Sequence, residues 1–168
     1  MSEGILYICP TPIGNLEDIT LRTLRVLKEV DLIAAEDTRR TIKLLNHYEI
    51  KKPLISYHEH NKVEKGKILI EKLKEGVNIA LVTDAGMPGI SDPGEDMIRL
   101  AIENQIEPVV LPGATASITA LVLSGLPTKK FVFEGFLPSK KKDRREELER
   151  LKTEERTIIL YEAPHRLL

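Results

Sequence analysis

Short apolar runs alternate, five times over, with longer segments whose apolar residues recur at helical spacing, and few architectures accept that pattern. ILYIC (residues 5–9) is followed by Leu21, Leu24 and Leu27, which share a helical face up to Val30. DLIAA (31–35) precedes TRRTIKLLNHY (38–48), and PLISY (53–57) precedes a segment whose Leu69, Ile70 and Leu73 line one face before Gly76 ends it. VNIALVT (77–83) leads to a helical pattern over 95–104, and PVVL (108–111) to a small-residue helix starting near Ala114. This alternation predicts an α/β fold: an open, mostly parallel five-stranded sheet with helices on both faces.

Around SGLPTKK (124–130) turn residues and a shift in charge predict a boundary, with an N-terminal α/β domain over 1–125 and the beginning of a second α/β domain over 126–168. The second part reads only as strand (FVFEGFL), charged helix (140–153) and strand (RTIILYEAP), too little for an independent core. It is expected either to lean on a partner subunit or to open a larger domain.

The 25 basic and 26 acidic side chains exclude a uniformly electropositive chain, so a nucleic-acid partner would have to be met by a local patch. A single cysteine, Cys9, excludes an internal disulfide framework and suits a reducing compartment. No apolar run reaches the roughly 18–20 residues of a membrane span, and MSEGILYICP lacks the basic flank of a signal peptide. The expectation is a soluble, cytoplasmic protein with no membrane association.

In an open parallel sheet, ligands sit beyond the carboxyl ends of the strands. Three loops leave those ends here: CPTPIGNL, TDAGMPG and LPGATAS, none with a Lys or Arg. Neither a GxxxxGK[ST] nor a GxGxxG pattern is present, which argues against nucleoside triphosphates and dinucleotides. Glycines allow close backbone approach to a ligand, Asp84 adds a carboxylate, and the open N–H groups of the helix near Ala114 can hold a carboxylate in turn. A ligand with a positive centre and no phosphate fits, and S-adenosylmethionine has those features. In SDPGE (91–95), Asp92 is expected as N-cap, Pro93 as the first helical residue and Glu95 as the reciprocal partner of a capping box.

Two further loops carry reactive side chains. AEDTRRT offers Glu36 and Asp37 as candidate proton acceptors beside Arg39 and Arg40 as phosphate contacts, although Asp37 or Thr38 can equally be a helix cap with solvated arginines. YHEHN offers His58, Glu59 and His60; a histidine base stays open there, and no metal site is read. Lys129, Lys130, Lys140, Lys141, Lys142, Arg144 and Arg145 stand against only Glu134 and Asp143 in one segment, which is either a solvated face or a surface for a polyanion.

PTPIGNLEDIT, AEDTRRT, TDAGMPGISDPG, LPGATASITAL, FEGFLP and YEAPHRL, in that order and spacing, closely resemble the ribosomal RNA small subunit methyltransferase I family of the tetrapyrrole methylase-like superfamily. The resemblance implies a two-domain α/β enzyme, typically a homodimer, that uses S-adenosylmethionine to methylate a cytidine 2′-hydroxyl in 16S ribosomal RNA, as free RNA or in the 30S subunit. It implies cofactor contacts at Pro12, Asp84, Gly86, Met87, Thr115, Ala116 and Tyr161. RNA contacts are expected at Arg39, Arg40, Lys140, Lys141, Lys142, Arg144 and Arg145. The tetrapyrrole methylases carry a GxGxGD-like first loop where this chain has PTPIGNLED, which argues against a porphyrin-type substrate. Members of the resembled family also continue past YEAPHRL. The competing readings are a methyltransferase acting on a tetrapyrrole or on diphthamide, and a non-catalytic cofactor- or RNA-binding module.

Overall fold

Strand β4 (Ile79–Val82) is buried along its whole length, as a central strand of a parallel sheet must be. The computed structural model describes residues 3–167. In it β1 (Leu6–Ile8), β2 (Leu32–Ala35), β3 (Leu54–Ser56), β4 and β5 (Val109–Val110) pair in parallel in the order β3-β2-β4-β1-β5. Successive strand side chains point to opposite faces, so each strand feeds two core layers. Ile79 and Leu81 pack with Leu69, Ile70 and Leu73 of α3 (Lys62–Lys74) and with Met97 and Ala101 of α4 (Gly94–Glu103). Ala80 and Val82 pack with Val26 and Leu27 of α1 (Leu21–Glu29) and with Leu45 of α2 (Thr38–His47).

This wiring determines where a ligand can sit. From β1 the chain passes through α1 to β2 on one side; from β4 it passes through α4, on the opposite face, to β5 on the other side. The loops leaving these adjacent strands therefore diverge, and a crevice opens between the carboxyl ends of β1 and β4.

The helix starts follow side-chain chemistry, with one departure from expectation. Thr20 caps α1 by accepting from Thr23 N, and Asp37 caps α2 by accepting from Arg39 N. For α4 the N-cap is Pro93 rather than Asp92, and no side chain makes the cap hydrogen bond. Asp92 accepts instead from Gly94 N at 2.7 Å and Gly89 N at 2.9 Å, so one carboxylate closes the loop and meets the helix start together.

The chain forms two compact units that divide after Thr115, ahead of the predicted boundary at 125/126. The shift concerns α5 (Ala116–Ser124), which starts slightly later than expected and packs against β7 (Thr157–Tyr161), so it belongs with the second unit. That unit also holds β6 (Phe131–Phe136) and α6 (Lys141–Leu151); β6 and β7 pair in parallel, making a β-α-β crossover. Among the described residues no helix is long and apolar enough to cross a membrane.

Candidate functional site

At the β1/β4 crevice the first two glycine-rich loops are bonded to each other. Thr11 N donates to Gly86 O and Gly86 N to Thr11 O, both at 3.0 Å, and the buried Thr11 hydroxyl donates to Thr83 O at 3.1 Å. Gly86 has φ +85°, a conformation that disfavours any side chain. The third loop lies against the first: a Cβ on Gly113 would stand 2.2 Å from Pro10 Cγ, so only glycine permits that approach. The three loops read from the sequence thus converge at one edge of the first unit.

Beneath them is a chain of carboxylates. Glu36, leaving β2, accepts from the Thr83 hydroxyl at 2.6 Å and from Asp84 N at 3.3 Å. Asp84 accepts from Asp37 N at 3.1 Å and pairs with Arg40 at 3.3 Å. Burial, and then the neighbouring Glu36 carboxylate, push the proton affinity of Asp84 up, against the pull of Arg40. Asp37 is driven the other way, to about 2, first by the side-chain hydrogen bonds of Arg39 and then by the Arg39 backbone N–H. Two acids adjacent in sequence thus differ in character: Glu36 pins the Thr83–Asp84 turn, and Asp37 caps a helix.

An open depression of about 210 Å³ lies beside this network, lined by Thr11, Pro12, Leu16, Arg40, Thr41, Lys43, Leu44, Thr83 and Asp84. Of the expected site residues, Pro12, Asp84 and Arg40 line it, and Gly86 forms the adjoining bridge. The half-buried Met87 side chain packs against the core layer of α3 and α4. Arg39 is exposed and bound to Asp37. Although the three loops carry no cation of their own, α2 brings Arg40 and Lys43 to them. No motif in the sequence singles out Lys43 and Leu44, yet they follow Arg40 at the i+3 and i+4 spacing that puts all three on one helical face.

Thr115 closes the first unit and Ala116 opens α5. In the second unit the Tyr161 hydroxyl accepts from Ser117 N at 3.2 Å, so one N–H expected to be open at the start of α5 is already satisfied, and the Tyr161 ring meets Phe133 and Phe136 edge-on. Arg144 is held by Glu162 at 2.9 Å, and Lys142 stands 3.9 Å from Glu146. Lys140, Lys141 and Arg145 are exposed, with no ion pair among the described residues. In the YHEHN loop Asn61 Nδ2 lies 3.3 Å from His58 Nε2, while His58 Nδ1 is buried without a partner among the described residues.

A parallel sheet with glycine loops crowded at its switch point defines a small-ligand α/β class, and the chain belongs to the tetrapyrrole (corrin/porphyrin) methylase family, whose model matches residues 5–168. Among curated proteins it is 59% identical over 165 residues to the ribosomal RNA small subunit methyltransferase I of Halalkalibacterium halodurans, covering 98% of this chain and 57% of that one. It is 53% identical to the protein of the same name from Thermotoga maritima, covering 98% of this chain and 74% of that one. The chain spans little more than half the length of several such relatives. Solved structures with the same fold include a uroporphyrin-III C-methyltransferase from Thermus thermophilus in complex with S-adenosyl homocysteine (TM-score 0.58, 20% identity, 79% of this chain and 59% of that one). A diphthine synthase is also similar (TM-score 0.66, 16% identity, 96% and 66%).

Proposed function

We propose that this chain is the cofactor-holding part of an S-adenosylmethionine-dependent methyltransferase that modifies a cytidine 2′-hydroxyl of 16S ribosomal RNA, free or within the 30S subunit. The observation that carries the reading is the convergence of three cation-free glycine loops, one of them carrying Asp84, at the β1/β4 crevice, in a chain 59% identical to a protein named for ribosomal RNA methylation. A cytoplasmic location and a homodimer complete the proposal, the first consistent with a single buried cysteine and the second drawn from the family resemblance alone.

The residues fit the cofactor's chemistry. S-adenosylmethionine supplies an electrophilic methyl on a sulfonium, and a partly buried carboxylate beside glycine backbone suits a ligand with positive centres. Pro12, Asp84, Gly86 and Met87 are the proposed contacts in the first unit, with Thr115 at its end; Ala116 and Tyr161 are those of the second. The exposed Arg40 bridge covers Asp84 only weakly, since such pairs are worth about 0–1 kcal/mol. Methyl transfer also needs a proton acceptor for the ribose hydroxyl. Asp84, with its raised proton affinity, suits that task better than Asp37, which is held low by Arg39. Glu36 then acts as a positioning residue for the Thr83–Asp84 turn.

Tritium transfer from labelled S-adenosylmethionine to 30S subunits or free ribosomal RNA tests the proposal. Asp84→Ala is expected to reduce both incorporation and cofactor binding by at least tenfold. Full incorporation by that variant would remove Asp84 from the site, and cofactor binding without any transfer would favour a binding module. Transfer to a tetrapyrrole or to a diphthamide precursor instead of RNA would replace the substrate.

A further inference from the structure

The depression between the first loop and α2 carries Leu16, Lys43 and Leu44, which the cofactor reading does not use. Its apolar wall is Pro12, Leu16 and Leu44; its cations are Arg40 and Lys43; Thr11, Thr83 and Asp84 supply polar groups at the crevice side. Lys43 is exposed and makes no ion pair among the described residues. The first loop is held in place, because Asn15 caps the 3-10 turn Leu16–Asp18 and the Tyr48 hydroxyl donates to Leu16 O. The wall is therefore formed before any ligand arrives.

From this we infer that the depression between the first loop and α2 is the subsite for the target nucleotide of an RNA strand, with its base on Pro12, Leu16 and Leu44 and its phosphate on Lys43 and Arg40. The inference rests on the methyltransferase reading for its purpose and on the depression's own chemistry for its ligand. At about 210 Å³ the space is smaller than the roughly 300 Å³ and upward of pockets that enclose a whole drug-sized ligand. It suits part of a strand, whose remainder stays in solvent. Paired cations select a phosphate, which S-adenosylmethionine lacks. Flat apolar walls are what enzymes use to hold a nucleotide drawn out of its stack. The Arg40–Asp84 bridge gives the site a further property: a phosphate that takes Arg40 frees Asp84 at the moment the ribose arrives.

The test uses a short single-stranded RNA carrying one 5-iodocytidine and a fluorescent end label. Photocrosslinking followed by peptide mass spectrometry is expected to mark residues 11–16 and 40–44. Fluorescence anisotropy should show Lys43→Glu weakening RNA binding about tenfold, a change worth about 1.4 kcal/mol, with a smaller loss for the charge-neutral Leu16→Ala. Thermal unfolding of both variants establishes that they are folded. Crosslinks confined to Lys140–Arg145, or unchanged RNA affinity in both variants, would overturn the inference. So would a loss of S-adenosylmethionine affinity in Lys43→Glu as large as its loss of RNA affinity, since the depression would then belong to the cofactor. Crosslinking at the depression without any methyl transfer would sink the methyltransferase reading and leave the depression as a nucleotide site without a target.

Discussion

Thr83 and Glu36 show how closely single side chains control the candidate site. The Thr83 hydroxyl is buried and donates to the Glu36 carboxylate, so Thr83→Val keeps the shape and removes the hydrogen bond. A hydrogen bond to a charged group contributes about 1.5–3 kcal/mol, so urea unfolding of Thr83→Val should show a loss of at most that range. The same variant should lose cofactor affinity, because the turn carrying Asp84 loses its shortest tie to the residue that follows β2. Asp37 leads to a pH prediction. Its carboxyl lies at about 2 instead of the ordinary 3.8, so it contributes stability above 3.8 that fades as pH falls toward 2. Asp37→Asn lacks this contribution. Its stability deficit against the parent chain, read from urea unfolding across pH, should be full near pH 6 and close between about 4 and 2; a deficit constant down to pH 2 would deny Asp37 its charge-dependent role. Cys9, buried and with its thiol pushed up to about 12 by that burial, has the character of a packing residue rather than a nucleophile.

Strands and helices are almost fully readable from the sequence, because each segment's apolar period agrees with its partner layer. The alternation of Ile79, Ala80, Leu81 and Val82 between two cores is what a doubly covered strand requires, and Leu69, Ile70 and Leu73 supply the matching helical face. Leu69→Ala, at a fully buried position, should therefore cost about 2–5 kcal/mol in urea unfolding. The loops are readable only as loops. That they converge can be inferred from strand order, but the Thr11–Gly86 bridge and the approach of Gly113 to Pro10 depend on backbone paths that composition does not encode. Gly113→Ala tests that approach: the added methyl overlaps the Pro10 ring, and such overpacking costs about 1–3 kcal/mol. Equal urea midpoints for Gly113→Ala and the parent chain would mean that the loop yields at no cost. Asp92 departs from its expected role for a related reason. A local cap motif predicts one acceptor at the helix start, whereas the fold also uses the same carboxylate on Gly89 N across the loop. Lys43 and Leu44 escape a reading of the sequence because a cation and a leucine on a helix look like ordinary surface and core until a loop is packed beside them.

Over the whole chain, charge is nearly balanced, 25 basic against 26 acidic, so any RNA affinity must come from local clusters. They include Arg40 with Lys43 in the first unit, and the segment opening α6 in the second. Their roles differ in kind. Lys43 flanks an apolar wall and can fix one nucleotide, whereas Lys140, Lys141 and Arg145 are solvent-exposed and lack ion pairs among the described residues. They are suited to phosphates of any sequence. Each phosphate neutralised contributes about 0.7–0.9 to the slope of log affinity against log salt. Replacing Lys140, Lys141 and Arg145 together with Ala should therefore flatten that slope by roughly 2–3 and weaken all RNAs alike. Lys43→Ala, which removes a single phosphate contact, should change it by about one at most. Anisotropy titrations over a salt series measure both slopes on the same RNAs. An unchanged slope in the triple variant would return the α6 segment to the status of a solvated face.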